Sequence, residues 1–241
     1  MSTNKDFDNV IRCLSNNTQG VLCCQNDEAY LRELTLYFSS LKPSQKRPDA
    51  YAIQGNNLLL LEHFQFDNTR ITRKGSNQNR ISAETQRAFQ KSFEEGNDFA
   101  VLSESVSKNG QYYIENFRRQ FNKHAQNIQV YKMEMQKELN REFDDCLMGF
   151  IIEDASPLGS GYHNGKLEYV DLTFSKEFLD LFENTANLDF VVFAMTGNEN
   201  HKILSFISRQ CINLQRTNQI EVSKIGNFLF ENSFCVSAII N

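Results

Sequence analysis

Two acidic residues in one short stretch, Asp49 and Glu62, have the side chains and the spacing that metal-ion chemistry requires. Asp49 follows a proline and precedes a short apolar run, and Glu62 ends a run of four leucines. A Gly-Asn-Asn turn signal at residues 55–57 lies between the two runs, so the stretch predicts a β-hairpin. Carboxylates on neighbouring strands, with a backbone carbonyl, are the oxygen ligands that Mg²⁺ takes beside a phosphodiester. Such an ion makes its bound water more acidic and neutralises charge on the phosphate.

The second strand of this hairpin is expected to send its side chains to alternating faces. Glu62 and Phe64 then share one face, and His63 and Gln65 share the other. A carboxylate at the end of a leucine run is costly if it is buried and unpaired. We therefore expect Glu62 either to lie at the solvent edge of the strand or to be held by a cation. His63 is interpreted as a surface or hydrogen-bonded histidine.

The elements around the hairpin are those of a mixed α/β protein. A helix is predicted to begin after Asn26, with acidic residues in its first turn, and to end before Pro43. Buried strands are predicted where apolar residues run without alternation, as in GFII and FVVFAM. We predict an α/β fold with a mixed central sheet and flanking helices, in a single domain over residues 1–241.

A helical insertion is predicted between the two halves of the sheet, at about residues 82–146. Ser82 would cap a first helix that stops at Gly96. Neither glycine nor proline occurs in residues 111–146, and apolar residues recur there at intervals of three and four. This pattern predicts one long amphipathic helix, which would act as an arm, a lid or a dimer interface.

The composition of the chain excludes several classes of protein. Its 241 residues carry a formal net charge of −5 and include only 3 prolines and 11 glycines, so neither a global basic field nor long linkers are expected. No apolar run approaches the length of a membrane span, and the first residues lack an apolar leader. The 6 cysteines lack metal-binding spacing and are interpreted as reduced thiols. These features predict a cytoplasmic protein with no membrane segment.

The order of helix, Pro-Asp pair, hairpin and strand-end glutamate resembles the PD-(D/E)xK restriction-endonuclease-like superfamily. The resemblance covers residues 26–66. In that superfamily the aspartate and the glutamate hold Mg²⁺, and a lysine positions or activates the attacking water. Pro48-Asp49 matches the first motif, and Glu62 matches the acidic position of the second. The resemblance therefore implies a restriction-endonuclease-like core and an Mg²⁺ (or Mn²⁺) ion held by Asp49 and Glu62.

The chain departs from the superfamily pattern at the lysine position, which is Phe64. Lys74 could take the catalytic part of that lysine if the loop after the hairpin folds back. An acid on the first helix sometimes joins such sites, and Glu28 is the preferred candidate for a third metal ligand.

A basic strip follows the hairpin, with no acid between residues 68 and 83. Its members are Arg70, Arg73, Lys74 and Arg80. The strip would contact phosphates if the protein binds nucleic acid. It is equally well interpreted as a solvated loop.

Two functions from different classes agree with these patterns. The first is a metal-dependent nuclease, or a nuclease-like protein, that acts on phosphodiester bonds. The second is a non-catalytic interaction protein that binds a protein partner, as immunity proteins bind nuclease toxins. The Asp49–Glu62 pair favours the first function, and the missing lysine and the net negative charge favour the second.

Overall fold

The computed structural model describes residues 5–16, 21–23, 26–66, 71–72, 75–76, 87, 90–91, 94, 99–154, 160–163, 166–169, 172–196, 202–217 and 229–239. The helices are α1 (Lys5–Asn16), α2 (Asp27–Phe38), α3 (Gly110–Ala125), α4 (Ile128–Leu139), α5 (Lys176–Asn184) and α6 (Ile212–Arg216). The strands are β1 (Val21–Cys23), β2 (Lys42–Pro43), β3 (Ala50–Gln54), β4 (Asn57–Phe66), β5 (Ile71–Thr72), β6 (Gly75–Ser76), β7 (Phe99–Asn109), β8 (Asp145–Asp154), β9 (Ser160–His163), β10 (Lys166–Tyr169), β11 (Phe190–Thr196), β12 (Lys202–Ser208) and β13 (Leu229–Ile239).

The central sheet is mixed and has seven strands in the order β1-β12-β11-β8-β4-β3-β2. Strands β4, β8 and β11 run parallel, whereas β3 is antiparallel to β4 and β12 is antiparallel to β11. A second, four-stranded sheet has the order β10-β9-β13-β7, and β5 pairs with β6. The predicted α/β class with a mixed central sheet is confirmed.

The predicted hairpin is formed by β3 and β4. Ala50 lies opposite Leu61, and Gln54 lies opposite Asn57. Gly55 has a φ of 60°, a left-handed conformation that glycine adopts without the steric cost of a Cβ. The turn chemistry therefore fixes which residues of the two strands face each other.

Helices cover both faces of the central sheet. Strand β4 has apolar side chains on each of these faces, and they pack against the helices. On one face, Leu59 and Leu61 join a core with residues of α1 and α2. On the other face, Leu58, Leu60 and Phe64 join a core with residues of α3, α4, α5 and α6. Glu62 is the polar member of the second set, and it is completely buried.

The prediction of one long helix over residues 111–146 is wrong. A turn at Gln126 and Asn127 separates α3 from α4, and Asn140 ends α4 in a left-handed conformation with a φ of 47°. Residues 145–154 belong to a strand. The turn lets the apolar side chains of both helices pack on the same face of the sheet.

The predicted insertion at residues 82–146 is not helical throughout, because it contains the eleven-residue strand β7. The helix predicted from Ser82 lies largely outside the described residues, although residues 87, 90, 91 and 94 are helical. Within the described ranges, no helix has the length and apolar character needed to cross a membrane.

Candidate functional site

The hairpin brings the two predicted acids together. Ala50 pairs with Leu61, and Asp49 and Glu62 are the residues next to this pair, at the open end of the hairpin. The backbone N–H of His63 donates a 2.8 Å hydrogen bond to Asp49 Oδ2, which ties the aspartate to the neighbouring strand. Partial burial raises the pKa of Asp49 and the charge of Glu62 raises it further, so the two carboxylates are close enough to interact.

Glu62 is buried, and a cation holds it. Arg47 Nη1 donates a 2.7 Å hydrogen bond to Glu62 Oε1. The Tyr131 hydroxyl donates to the same oxygen at 3.2 Å, and His124 Nδ1 lies 2.7 Å from it. Of the two possibilities expected for Glu62, the solvent edge and the cation, the structure shows the cation.

His124 carries its proton on Nδ1 in this arrangement. A carboxylate oxygen can only accept hydrogen bonds, so the 2.7 Å approach to Glu62 requires an N–H on the histidine side. The Arg47 Nη1 atom lies 3.4 Å from the same Nδ1, which makes that approach a contact between two donors. Three donors therefore converge on a single carboxylate oxygen.

Electrostatics reflect this crowding of charges. The hydrogen bond with Tyr131 and the charge of Glu62 raise the pKa of Arg47, which keeps the guanidinium charged. Burial raises the pKa of Tyr131 to about 12, so the phenol stays neutral and can donate. Asp49 as a whole is exposed, but its carboxylate is partly desolvated, and this desolvation together with the charge of Glu62 raises its pKa.

The second carboxylate oxygen of Glu62 has a different environment. Oε2 is buried and has no hydrogen-bond partner among the described residues. An unpaired buried carboxylate oxygen is costly, so it indicates a position where a donor or a cation would bind favourably. Mg²⁺ commonly takes one or two carboxylates and completes its octahedron with water. A metal site here would have Asp49 and Glu62 as its two carboxylates, and the described residues contain no group of three or more His, Cys, Asp or Glu side chains arranged to hold a metal.

The lysine position of the superfamily is filled by a structural residue. Phe64 is buried beside Glu62, and its ring stacks on the His124 ring with centroids 4.4 Å apart and an angle of 9°. This stacking fixes the imidazole that donates to Glu62. Phe64 has no group that could bind or activate water, and Lys74, the predicted substitute, lies outside the described residues.

The structure does not bring Glu28 to the acid pair. Glu28 lies on the exposed side of α2, where it pairs with Arg32 at 3.4 Å. Helix α2 packs on the Leu59–Leu61 face of the sheet, whereas the Glu62 side chain belongs to the opposite face. The sheet itself therefore separates the predicted third ligand from the other two.

All four members of the predicted basic strip, Arg70, Arg73, Lys74 and Arg80, lie outside the described residues.

A second polar cluster lies on the other face of the same strands. Gln65 Nε2 donates to Glu153 Oε2 at 2.7 Å, and His63 Nε2 lies 3.1 Å from the same oxygen. Asp154, the residue after Glu153, points to the opposite face of the sheet, where it accepts a 3.0 Å hydrogen bond from the Tyr113 hydroxyl. His63 is therefore a hydrogen-bonded histidine, which is one of the two interpretations that the sequence offered for it.

Sequence reasoning missed three of the residues that define the site. Arg47 directly precedes the Pro-Asp pair, so its proximity to Asp49 was a usable signal. His124 lies near the end of α3 and Tyr131 in the first turn of α4, both within the amphipathic stretch of residues 111–146. Nothing in the sequence shows that these two side chains meet Glu62, because the contact depends on how the helices pack on the sheet.

Comparison of the chain with protein-family models, with curated proteins and with solved structures returns no match.

Proposed function

We propose that the protein is a nuclease-like protein whose Asp49–Glu62 pair binds a divalent cation and acts on phosphodiester bonds. The observation that carries the proposal is the buried Glu62 Oε2, which has no hydrogen-bond partner among the described residues and belongs to a carboxylate close to Asp49. The order of α2, Pro48-Asp49, hairpin and Glu62 also follows the order that the resemblance to the PD-(D/E)xK superfamily implies.

In this proposal the chain's own residues have distinct parts. Asp49 and Glu62 Oε2 hold Mg²⁺ or Mn²⁺, which supplies an acidic bound water and charge neutralisation at the phosphate. Arg47, His124 and Tyr131 fix Glu62 through its other oxygen. Lys74 and the rest of the basic strip would contact the substrate.

Metal binding is the first test of this function. At ten times its Kd, a ligand that binds only the native state stabilises it by about 1.4 kcal/mol, which corresponds to about 3–6 °C in Tm for a chain of this length. We expect Mg²⁺ or Mn²⁺ to raise the Tm of the wild type, and Asp49→Asn and Glu62→Gln to abolish the increase.

Glu28→Ala is the matched control for that experiment. The resemblance implies Glu28 as a ligand, whereas the structure places it on the other side of the sheet, so this variant should keep the full metal-induced shift. Cleavage of plasmid, single-stranded DNA and RNA by the same four proteins tests catalysis. An unchanged wild-type Tm at millimolar metal, with no cleavage, would refute the proposed function.

A second candidate function is a non-catalytic protein that binds a protein partner. The ion pair favours it, because Arg47 already supplies a positive charge to Glu62 where a catalytic metal would compete. Helix α4 also presents apolar side chains to solvent, since Val130 is 40% exposed and Met133 is 61% exposed. This candidate predicts a stable protein with no metal-induced shift.

A further inference from the structure

An open depression of about 470 Å³ lies next to the Glu62 cluster. It is lined by Lys46, Arg47, Asn127, Val130, Tyr131 and Glu134. Its wall is formed on one side by the segment before Pro48 and on the other by the start of α4. Its volume is in the range of small-molecule sites and is larger than a single inorganic anion needs.

Arg47 connects the buried cluster to this depression. Among the described residues, only its Nη1 atom is engaged, with Glu62 Oε1, His124 and Tyr131 nearby, and its side chain is 50% exposed. A guanidinium has five N–H donors in a planar fork, so anchoring one nitrogen leaves donors directed at solvent. The buried contacts hold this fork in place, which reduces the entropy lost when it binds a ligand.

The charges in the depression indicate what the ligand would be. Lys46 and Arg47 are adjacent cations on one side of the depression, and this arrangement suits a phosphate group. Arginine makes bidentate hydrogen bonds to phosphate oxygens, and lysine adds a mobile point charge. Glu134 lies on the other side and can accept hydrogen bonds from hydroxyl or amino groups. Val130, which lies on α4 like Glu134, adds an apolar surface to the lining. A group that combines phosphate, hydroxyls and a flat apolar ring matches all three features.

We propose that this depression binds the phosphate end of a nucleotide, either free or in a nucleic-acid strand, with Arg47 and Lys46 on the phosphate. The site shares Arg47 with the Glu62 cluster, but phosphate binding by two cations needs no metal, so the proposal does not rest on the proposed function. A failure of nucleotide binding in this depression can therefore be distinguished from a failure of the proposed nuclease function.

The test is equilibrium binding in EDTA, with fluorescently labelled AMP and labelled single-stranded oligothymidylate as probes. The proteins are the wild type, Lys46→Ala, Arg47→Lys and, as a matched control, Lys137→Ala, which removes an exposed lysine of α4 outside the depression. Lys46→Ala leaves the buried hydrogen bonds intact, so its effect does not depend on the stability of the Glu62 cluster.

We expect Lys46→Ala to weaken binding at least about fivefold and to reduce the salt-dependence slope for the oligonucleotide by about one. Arg47→Lys should also weaken binding, because lysine lacks the planar fork, and Lys137→Ala should bind like the wild type. Binding of both probes indicates a site for a terminal phosphate, and binding of the oligonucleotide alone indicates a site along a strand. The proposal is overturned if neither probe binds at about 1 mM, a concentration at which even weak specific sites are half-occupied, or if Lys46→Ala and Arg47→Lys retain wild-type affinity.

Discussion

Removing the Arg47 guanidinium should destabilise the protein, because Glu62 would stay buried without its cation. Breaking a fully buried ion pair by removing one partner costs about 3–5 kcal/mol. Here the Glu62 side chain is 1% exposed but that of Arg47 is 50% exposed, so solvent weakens the pair. His124 and Tyr131 also continue to donate to Glu62 Oε1.

We therefore expect Arg47→Ala to lower the free energy of unfolding by about 2 kcal/mol, close to the value of one hydrogen bond to a charged group. For a chain of this size the change corresponds to about 4–8 °C in Tm. The chain has no tryptophan, so urea unfolding should be followed by far-UV circular dichroism. Lys46→Ala is the control, because it removes a neighbouring exposed lysine and should cost less than about 0.5 kcal/mol.

A double-mutant cycle with Glu62→Gln separates the ion pair from other effects of the substitution. In the Glu62→Gln background the buried charge is gone, so Arg47→Ala should cost about 1.5 kcal/mol less than in the wild type. An equal loss in both backgrounds would show that Arg47 acts through packing. A loss below about 0.5 kcal/mol in the wild type would refute the argument that Arg47 holds the buried glutamate.

Three further predictions follow from individual contacts. Because folding raises the pKa of Asp49 above 3.8, the native state binds more protons than the unfolded state just above that pH, and this contribution to stability is lost as pH rises through the raised pKa. Asp49→Asn should remove that pH-dependent loss of stability. A difference between the urea midpoints of the wild type and Asp49→Asn that stays constant from about pH 3.5 to about pH 6 would contradict this prediction. Burial raises the pKa of Cys146 to about 11, so at pH 8 iodoacetamide should alkylate the Cys146 thiol about a hundredfold more slowly than it alkylates the thiol of free glutathione. Comparable alkylation rates, measured by peptide mass spectrometry, would contradict this. A Cβ at Gly149 would lie 2.2 Å from Phe190 Cζ, so Gly149→Ala should lower the free energy of unfolding in urea by about 1–3 kcal/mol. Adding Phe190→Leu to this variant should restore part of the lost stability. Wild-type stability of Gly149→Ala alone would show that the ring moves aside.

Local patterns predicted the hairpin well. The turn at residues 55–57 and the alternation along β4 were sufficient to predict the β3–β4 hairpin and to put Phe64 on the same face as Glu62, where both contact His124. Helix α2 was predicted equally well, because its first-turn acids and its apolar period are both properties of neighbouring residues.

The long helix shows where such patterns fail. An uninterrupted amphipathic period agrees with one helix or with two helices that meet at a turn, since both keep apolar residues at intervals of three and four. The break at Gln126 and Asn127 allows α3 and α4 each to pack against the sheet, and the gain from that packing is not encoded in the local period.

The sequence by itself determined that this protein contains a hairpin with an acid at the open end of each strand, a preceding amphipathic helix and buried strands of an α/β sheet. Those features depend on turn chemistry and residue period, which act over a few neighbouring residues. Only the tertiary structure decided that Glu62 is held by Arg47, His124 and Tyr131, and that Glu28 lies on the other side of the sheet. Those arrangements join segments that are far apart along the chain, and they are set by which face of the sheet each helix covers.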